Sequence, residues 1–288
     1  MNAEIAFIGG TGFYNPDLLQ DATTLAISTP FGPPSSDITI GQLKGKACAF
    51  LARHGAGHRL SPSRINYRAN IYALKSLGIT NIVAISAVGS LTEKIKPLEM
   101  VIPDQLFDRT QLRSNTFFED ICVHVSFADP FCRDLSQELY RAAQRVGCSV
   151  KKGGAYICIE GPQFSTRAES NAYRHMGLDV IGMTALPEAK LAREAEMCFS
   201  MLATVTDYDV WREEEVTIET VINNVNRNAA STQEIIQEVV PHLPITNGAC
   251  QCRHALDGAI VTRAEAISDE VSEKLRPILG KHLNDLIV

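Results

Sequence analysis

The chain carries no strong charge of either sign: 27 lysines and arginines stand against 33 aspartates and glutamates in 288 residues, a formal net of −6. No Lys/Arg block or basic stripe interrupts it, which argues against a nucleic-acid or anionic-membrane partner. An anionic ligand must therefore be captured by local cations and backbone amides. No apolar run approaches the roughly 20 residues of a bilayer-crossing helix. The opening MNAEIAFIGG lacks the basic region, long apolar stretch and cleavage site of a secretion signal, so a cytoplasmic location is the expectation. Repeats, low-complexity tracts and convincing linkers are missing too. The economical reading is one domain over residues 1–288, with a C-terminal helical extension from about residue 241.

Apolar residues, by contrast, are plentiful at 45%, enough for one sizeable core. Cysteine is also abundant, with eight residues. Cys48, Cys122, Cys132, Cys148, Cys158 and Cys198 are scattered, mostly in apolar segments, and read first as small buried hydrophobes. Cys250 and Cys252 form C-Q-C with His254 close behind. Zinc would need a fourth ligand and usually wider spacing, which argues against a metal there. A disulfide, structural or redox-active, stays open.

Short β-rich runs alternate with helical segments, the pattern of an α/β fold. Glu4 to Gly9 is a buried strand ending in Gly9-Gly10-Thr11-Gly12. Asp37 to Gln42 and Lys46 to Ala52 form a hairpin around Lys44-Gly45. Ile65, Ala69, Tyr72, Ala73 and Leu77 recur with helical period and stop at Gly78. Strands are expected at Asn81 to Ser86, Met100 to Pro103, Tyr156 to Ile159, Val180 to Met183 and Phe199 to Val205. Helices are expected at Leu135 to Val146, after Pro187, from Ile218 to Val240, and in a last piece interrupted by Pro277.

Six strand-end clusters carry chemistry. Gly9-Gly10-Thr11-Gly12 would let amides and a hydroxyl approach an anion, or it is simply a tight turn. A dinucleotide-binding loop is disfavoured, because Asn15 stands where a third glycine belongs and Pro16 follows at once. Arg53-His54 offers a guanidinium fork and an imidazole, suited to phosphate; a surface salt bridge beside a core histidine is the plainer alternative. Ser86-Ala87-Val88-Gly89-Ser90 is a small-residue loop exposing backbone N–H groups. In Glu160 to Glu169, Phe164 offers a flat face for a base. Thr184 lies close to a helix N-terminus, where anions bind or where threonine merely caps. Thr206-Asp207-Tyr208-Asp209-Val210-Trp211 places two acids beside the only tryptophan, suited to a purine edge or to capping.

In order, IGGTG, FGPPSSDITIG, LARHG, NYRANIYALKSLG, AVGS, EGPQFSTRAE, MTALPEAKLAREAEM and TDYDVW resemble the purine nucleoside phosphorylases, and among them the branch acting on methylthioadenosine. The resemblance spans roughly residues 4 to 240. It implies an α/β nucleoside phosphorylase fold, with a central mixed sheet partly closed into a barrel and flanking helices. It also implies a homotrimer or homohexamer that needs no metal or organic cofactor, inorganic phosphate being a co-substrate. Phosphate would be held by Thr11, Arg53, His54, Ser86, Ala87 and Thr184. Met183 would lie against the ribose, Phe164 and Ser165 would line the base pocket, and Asp207 and Asp209 would face the purine. His124 would reach in from a neighbouring subunit, and Ile218 and Val221 would form an apolar wall for the 5′ group. The chain departs from the family in carrying Ser86 where nucleated relatives have threonine, and in its tail after Pro241.

Asp207 decides the branch. Phosphorylases of 6-oxopurines usually carry asparagine there, whose amide donates to O6; a carboxylate only accepts, and so favours a 6-amino group or a protonated N7. The expected reaction is phosphorolysis of methylthioadenosine, with Asp207 as the catalytic acid. A broad-range or 6-oxopurine phosphorylase is the alternative within this family. A nucleotide-binding regulator built on the glycine loop is the alternative outside it.

Overall fold

The computed structural model describes residues 3–10, 16–212, 217–245 and 250–283. Its elements in chain order are β1 (Ile5–Gly9), β2 (Gln20–Leu25), β3 (Ile38–Leu43), β4 (Lys46–Ala52), α1 (Tyr67–Ser76), β5 (Asn81–Ser90), β6 (Met100–Ile102), β7 (Gln105–Arg109) and α2 (Arg133–Arg145). There follow β8 (Val150–Lys152), β9 (Ala155–Ile159), α3 (Arg167–His175), β10 (Val180–Gly182), α4 (Ala185–Glu194), β11 (Cys198–Asp207), α5 (Ile218–Val239), α6 (Asp269–Lys274) and α7 (Arg276–Leu283).

The eleven strands join one mixed sheet that branches at β5. One edge of β5 pairs in parallel with β11 from Asn81 to Gly89. The other pairs in parallel with β1 over Asn81–Ala84, then antiparallel with β10 at Gly89 and Ser90. β1 and β4 are also parallel, so the C-terminal ends of β4, β1, β5 and β11 lie along the same border. β7 and β8 each end a branch, paired only to β9 and β6. The ladder among the described residues therefore does not itself close the expected barrel.

Strand periodicity divides the core. In β1, Ala6 and Ile8 face one apolar layer while Ile5 and Phe7 face the other; β5 repeats this with Ile82 and Ala84 against Val83 and Ile85. Strands covered on both faces read as continuous apolar runs, which is why these two were visible in the sequence. Tyr67, Ile71 and Leu74 of α1, Ala189 and Ala192 of α4, and Ile278 and Leu279 of α7 fill the first layer. Leu135 and Leu139 of α2 and Ile235, Ile236 and Val239 of α5 fill the second. The tail after Pro241 packs into both layers through Leu256, Leu279, Leu243 and Cys252, so it is part of the body.

Several expectations shift. The segment Ala87–Ser90 is no loop; it continues β5 because Gly89 and Ser90 find partners in β10 and β11. The helical period read from Ile65 becomes helix only at Tyr67. Asn66 caps it, its Oδ1 accepting from the Ala69 N–H, the exchange an N-cap residue supplies. β2, β7 and β8 carry little apolar alternation, since β2 is almost wholly exposed and the others are partly so. The sequence held no signal for them.

Gly182 closes β10 against Tyr156, which is fully buried. A Cβ there would overlap the tyrosine hydroxyl and stand 2.6 Å from Cζ. Gly182→Ala should therefore cost about 1–3 kcal/mol, the usual penalty of overpacking. Urea unfolding measures it, and an unchanged midpoint would show that the β10–β9 contact is looser than described.

Candidate active site

The border where the parallel strands end gathers the first cluster. Ser86 Oγ and Thr184 Oγ1 stand 3.0 Å apart, both buried. Ser86 lies within β5, and Thr184 immediately precedes α4. The Thr184 side chain caps nothing, which leaves its hydroxyl available. Leu186 has φ −118° and ψ 138°, so regular helix begins only beyond it. Thr184 thus sits one step outside the helix N-terminus expected from the sequence.

Arg53 leaves the end of β4 and runs beneath this cluster, only 1% exposed. Its Nε donates to Glu188 Oε1 at 2.5 Å and Nη2 to Glu188 Oε2 at 3.0 Å. Nη1 donates to the Ile85 carbonyl, beside Ser86, and Nη2 also to the Ile8 carbonyl, beside Gly9. One guanidinium thereby fixes the ends of β4 and β1, the middle of β5 and the start of α4 relative to one another. Burial pushes the Glu188 carboxyl up while Arg53 pulls it down. A guanidinium does not release its proton in proteins and the contact is bidentate, so the pair is ionised. The fork expected to be free for an anion is thus largely committed to Glu188 and two carbonyls, and what it adds at Ser86 is chiefly fixed positive charge. Nothing in the sequence marked Glu188 as its partner, because a Pro-Glu opening of a helix is ordinary.

His54 stacks on His58 with ring centroids 4.1 Å apart, and its Nδ1 stands 2.8 Å from the Leu60 carbonyl. Burial and the adjacent Arg53 charge lower its pKa to about 4, against the carbonyl contact. The ring is neutral at pH 7, with Nδ1–H donating to Leu60, so its Nε2 beside Gly10 is an acceptor. The imidazole beside Arg53 thus presents an acceptor, and Nε2 suits a protonated anion oxygen. Thr11 lies outside the described residues.

The second cluster ends β11. Asp207 Oδ2 accepts from the Thr206 hydroxyl at 2.7 Å and Oδ1 from the Asp209 N–H at 2.7 Å. Burial raises its pKa, against the pull of those two donors. Asp209, 5% exposed, has Oδ2 buried without a hydrogen-bond partner. Burial raises it to about 6, the nearby Ser170 hydroxyl pulls the other way, and the Asp207 charge adds to the rise. An unpartnered buried acceptor is costly unless a ligand completes it. Gly89 lies opposite Asp207 in the ladder, and a Cβ on it would stand 2.9 Å from Asp207 Oδ1; glycine makes room for the acid.

One strand pair spaces the two clusters. Ser86 pairs with Ala203 and Gly89 with Asp207. The hydroxyl end and the acid end are thus three residues apart along β5, roughly 10 Å at strand rise.

The remaining residues divide. Met183 is half-buried and its Sδ touches the Gly161 position of the Glu160 loop. Arg113 secures that loop, pairing with Glu160 at 3.0 Å and donating to the carbonyls of Met183 and Leu186; sequence reasoning did not single it out. Ser165 Oγ is buried without a partner, whereas Phe164 is 42% exposed. Ile218 is 62% exposed and Val221 half-buried on α5. His124 lines a separate open cavity of about 670 Å³ with Phe118, Lys190 and Glu194, so it does not join the intrachain clusters. Trp211 donates its indole N–H to Ser90 and lies under Arg174 at 3.8 Å, which makes it a brace for the Asp209 turn. Among the described residues, the groups with metal-ligand geometry lie elsewhere, at Cys132, Cys198, Cys250 and Cys252 and at Glu196, Asp257 and His282.

Comparison with known proteins shows the family to which the chain belongs. The family model of the phosphorylase superfamily matches residues 4–241. An S-methyl-5′-thioadenosine phosphorylase of Geobacter sulfurreducens is 49% identical over 98% of this chain and 100% of its own length. That of Koribacter versatilis is 47% identical over 99% and 98%. A crystal structure of a methylthioadenosine phosphorylase from an antarctic soil metagenomic library superposes with a TM-score of 0.91 at 48% identity, covering 97% of this chain and 100% of that one. A mutant adenosine/methylthioadenosine phosphorylase of Schistosoma mansoni, in complex with methylthioadenosine, gives 0.83 at 35% identity, covering 89% and 96%.

Glu188→Ala leaves Arg53 buried without its counter-charge and should cost about 3–5 kcal/mol. Replacing both partners with apolar residues, Arg53→Met with Glu188→Leu, should recover most of that loss. Denaturant unfolding of the two variants reads the difference. Equal stability of Glu188→Ala and the unmodified chain would mean that Arg53 is not anchored as described.

Proposed function

The chain belongs to the phosphorylase superfamily, and from that premise we propose that it cleaves S-methyl-5′-thioadenosine with inorganic phosphate, giving adenine and S-methyl-5-thio-α-D-ribose 1-phosphate. The observation that carries this reading is the pairing of an anion-type cluster at Ser86, Thr184 and Arg53 with a buried acid at Asp207, set at two levels of one strand pair. An oxyanion and a purine fit there with the sugar between them.

Phosphate is held below C1′ by the Ser86 and Thr184 hydroxyls, the Ala87 amide and the glycine loop containing Thr11, over the positive charge of Arg53. His54 Nε2 accepts from a protonated phosphate oxygen. As the N-glycosidic bond lengthens, positive charge gathers on the sugar, as in glycoside hydrolysis, with phosphate in the place of water. Phosphate is nucleophilic enough to attack C1′ directly, so orientation supplies much of the rate. The departing adenine gains electron density at N7, and Asp207 delivers a proton there, directly or through water. Its raised pKa brings it toward the range where a carboxyl can do so. Its two oxygens are pinned by Thr206 and Asp209, so a 6-amino group meets an acceptor of fixed direction, completed by the unpartnered Asp209 oxygen.

Met183 backs the ribose, and Phe164 and Ser165 border the base. The exposed faces of Phe164, Ile218 and Val221 suit closure by a neighbouring subunit, whose His124 would reach the 5′ end of the sugar. The assembly on this reading is a homotrimer or homohexamer, with a cytoplasmic location and no cofactor. Among the described residues no helix is long and apolar enough to cross a membrane.

Adenine release from methylthioadenosine should require phosphate; equal release without it would make the chain a hydrolase and remove the role of the Ser86 cluster. Asp207→Asn should lower kcat/KM for methylthioadenosine by 10²-fold or more, on the order of general-acid contributions, and raise the relative use of inosine. Assay of methylthioadenosine, adenosine, inosine and methylthioinosine reads both effects, and an unchanged 6-amino preference would take Asp207 out of specificity.

A further inference from the structure

Four of the eight cysteines converge at the end of β11 remote from Asp207. Cys132 is the residue before α2, Cys198 opens β11, and Cys250 and Cys252 come from the tail. Cys250 Sγ stands 3.5 Å from Cys132 Sγ and 3.4 Å from Cys198 Sγ, and all four sulfurs lie within 4.8 Å of one another. Each is buried, at 3%, 0%, 9% and 6% exposure for Cys132, Cys198, Cys250 and Cys252. They sit in the apolar layer with Ile235, Val240 and Leu243.

We propose that Cys132, Cys198, Cys250 and Cys252 form a structural tetrathiolate site for a divalent cation, zinc above all, which ties the C-terminal tail to the sheet. A tetrahedral zinc site with Zn–S bonds of about 2.3 Å has sulfurs about 3.8 Å apart. The observed spacing brackets that value, so a cation enters with small side-chain adjustments. Buried cysteines acting as plain hydrophobes need not meet; here three distant segments deliver sulfurs to one point. Two disulfides would require each sulfur to choose one partner and close to about 2.05 Å, yet Cys250 is equally near Cys132 and Cys198 and has Cys252 beside it. The sequence argued against zinc because C-Q-C supplies two ligands at close spacing; the fold supplies the other two.

The chemistry balances simply. Four thiols bind one dication and release four protons, which leaves a closed site with no open position. Closed coordination is the mark of a structural site. β11 separates it from the active site by ten residues, roughly 30 Å of strand, so the cation takes no part in phosphorolysis. Its effect is on the tail, which runs on from Cys252 to α7 and its contacts with α1.

The test uses the full chain, purified in reducing buffer without chelator. Elemental analysis should find about one zinc per chain, and exchange with cobalt should give the intense visible bands of tetrahedral thiolate coordination. Stripping the metal from the unmodified protein with a strong chelator should lower its melting temperature, and zinc should restore it. Cys250→Ser with Cys252→Ser should carry less than about a tenth of the zinc. Metal-free protein in which Cys132, Cys198, Cys250 and Cys252 are all free thiols would overturn the proposal. So would an intact mass lighter by the four hydrogens that two disulfides give up, or zinc retained by the double variant. Because each readout is metal content, spectrum or melting, none depends on the assignment of the catalysed reaction.

Discussion

The buried pair of Arg53 and Glu188 is the constraint on which the site rests. Four elements meet at one border, and without a link they would be free to splay. The guanidinium reaches all of them, through the carboxylate of α4 and the carbonyls of Ile8 and Ile85. Burying two charges is expensive, and an apolar pair of similar volume would often be as stable. The cost is explained if a fixed positive charge is needed under Ser86 and Thr184. A surface arginine would be screened by water and salt, whereas this one keeps its field.

The second constraint is the length of β5. A strand that stopped at Ser86 would present the hydroxyl and nothing more. By running on to Ser90 it pairs with β10 on one edge and with β11 on the other. That pairing places Asp207 opposite Gly89, three residues along β5 from Ser86. The same branching explains why small residues are required there: Gly89 clears the Asp207 carboxylate, and Gly182 clears the Tyr156 ring. What looks like a permissive loop in one dimension is a tightly spaced wall in three.

Rigid support and unmet valence are divided between different residues. Arg113 and Trp211 spend their hydrogen bonds on Glu160 and backbone carbonyls, and Glu188 spends its on Arg53. Asp209 and Ser165 keep buried oxygens unpartnered. Pre-organised supports with unsatisfied groups between them are what a ligand-binding site requires, since the cost of orienting those groups is met during folding. The thiol cluster follows a different logic, because its four sulfurs gather at one point inside an apolar layer, away from the Asp207 end of β11.

The amino-acid sequence alone determined the α/β class, the apolar strand β1 and the first half of β5, most helices, and the order of the strand-end motifs. Those features are local: periodicity of burial and the residue types at strand ends survive in one dimension. It missed the polar edge strands β2, β7 and β8, whose residues hardly alternate in burial. It also could not pair Arg53 with Glu188, withdraw Trp211 from the purine edge, neutralise His54 as an acceptor, or bring Cys132 and Cys198 to Cys250. Each of those depends on residues between 6 and 135 positions apart, and on burial that only packing creates. The identity of the charged and sulfur-bearing groups was written in the chain; their partners, and hence their protonation and availability, were decided by the tertiary fold.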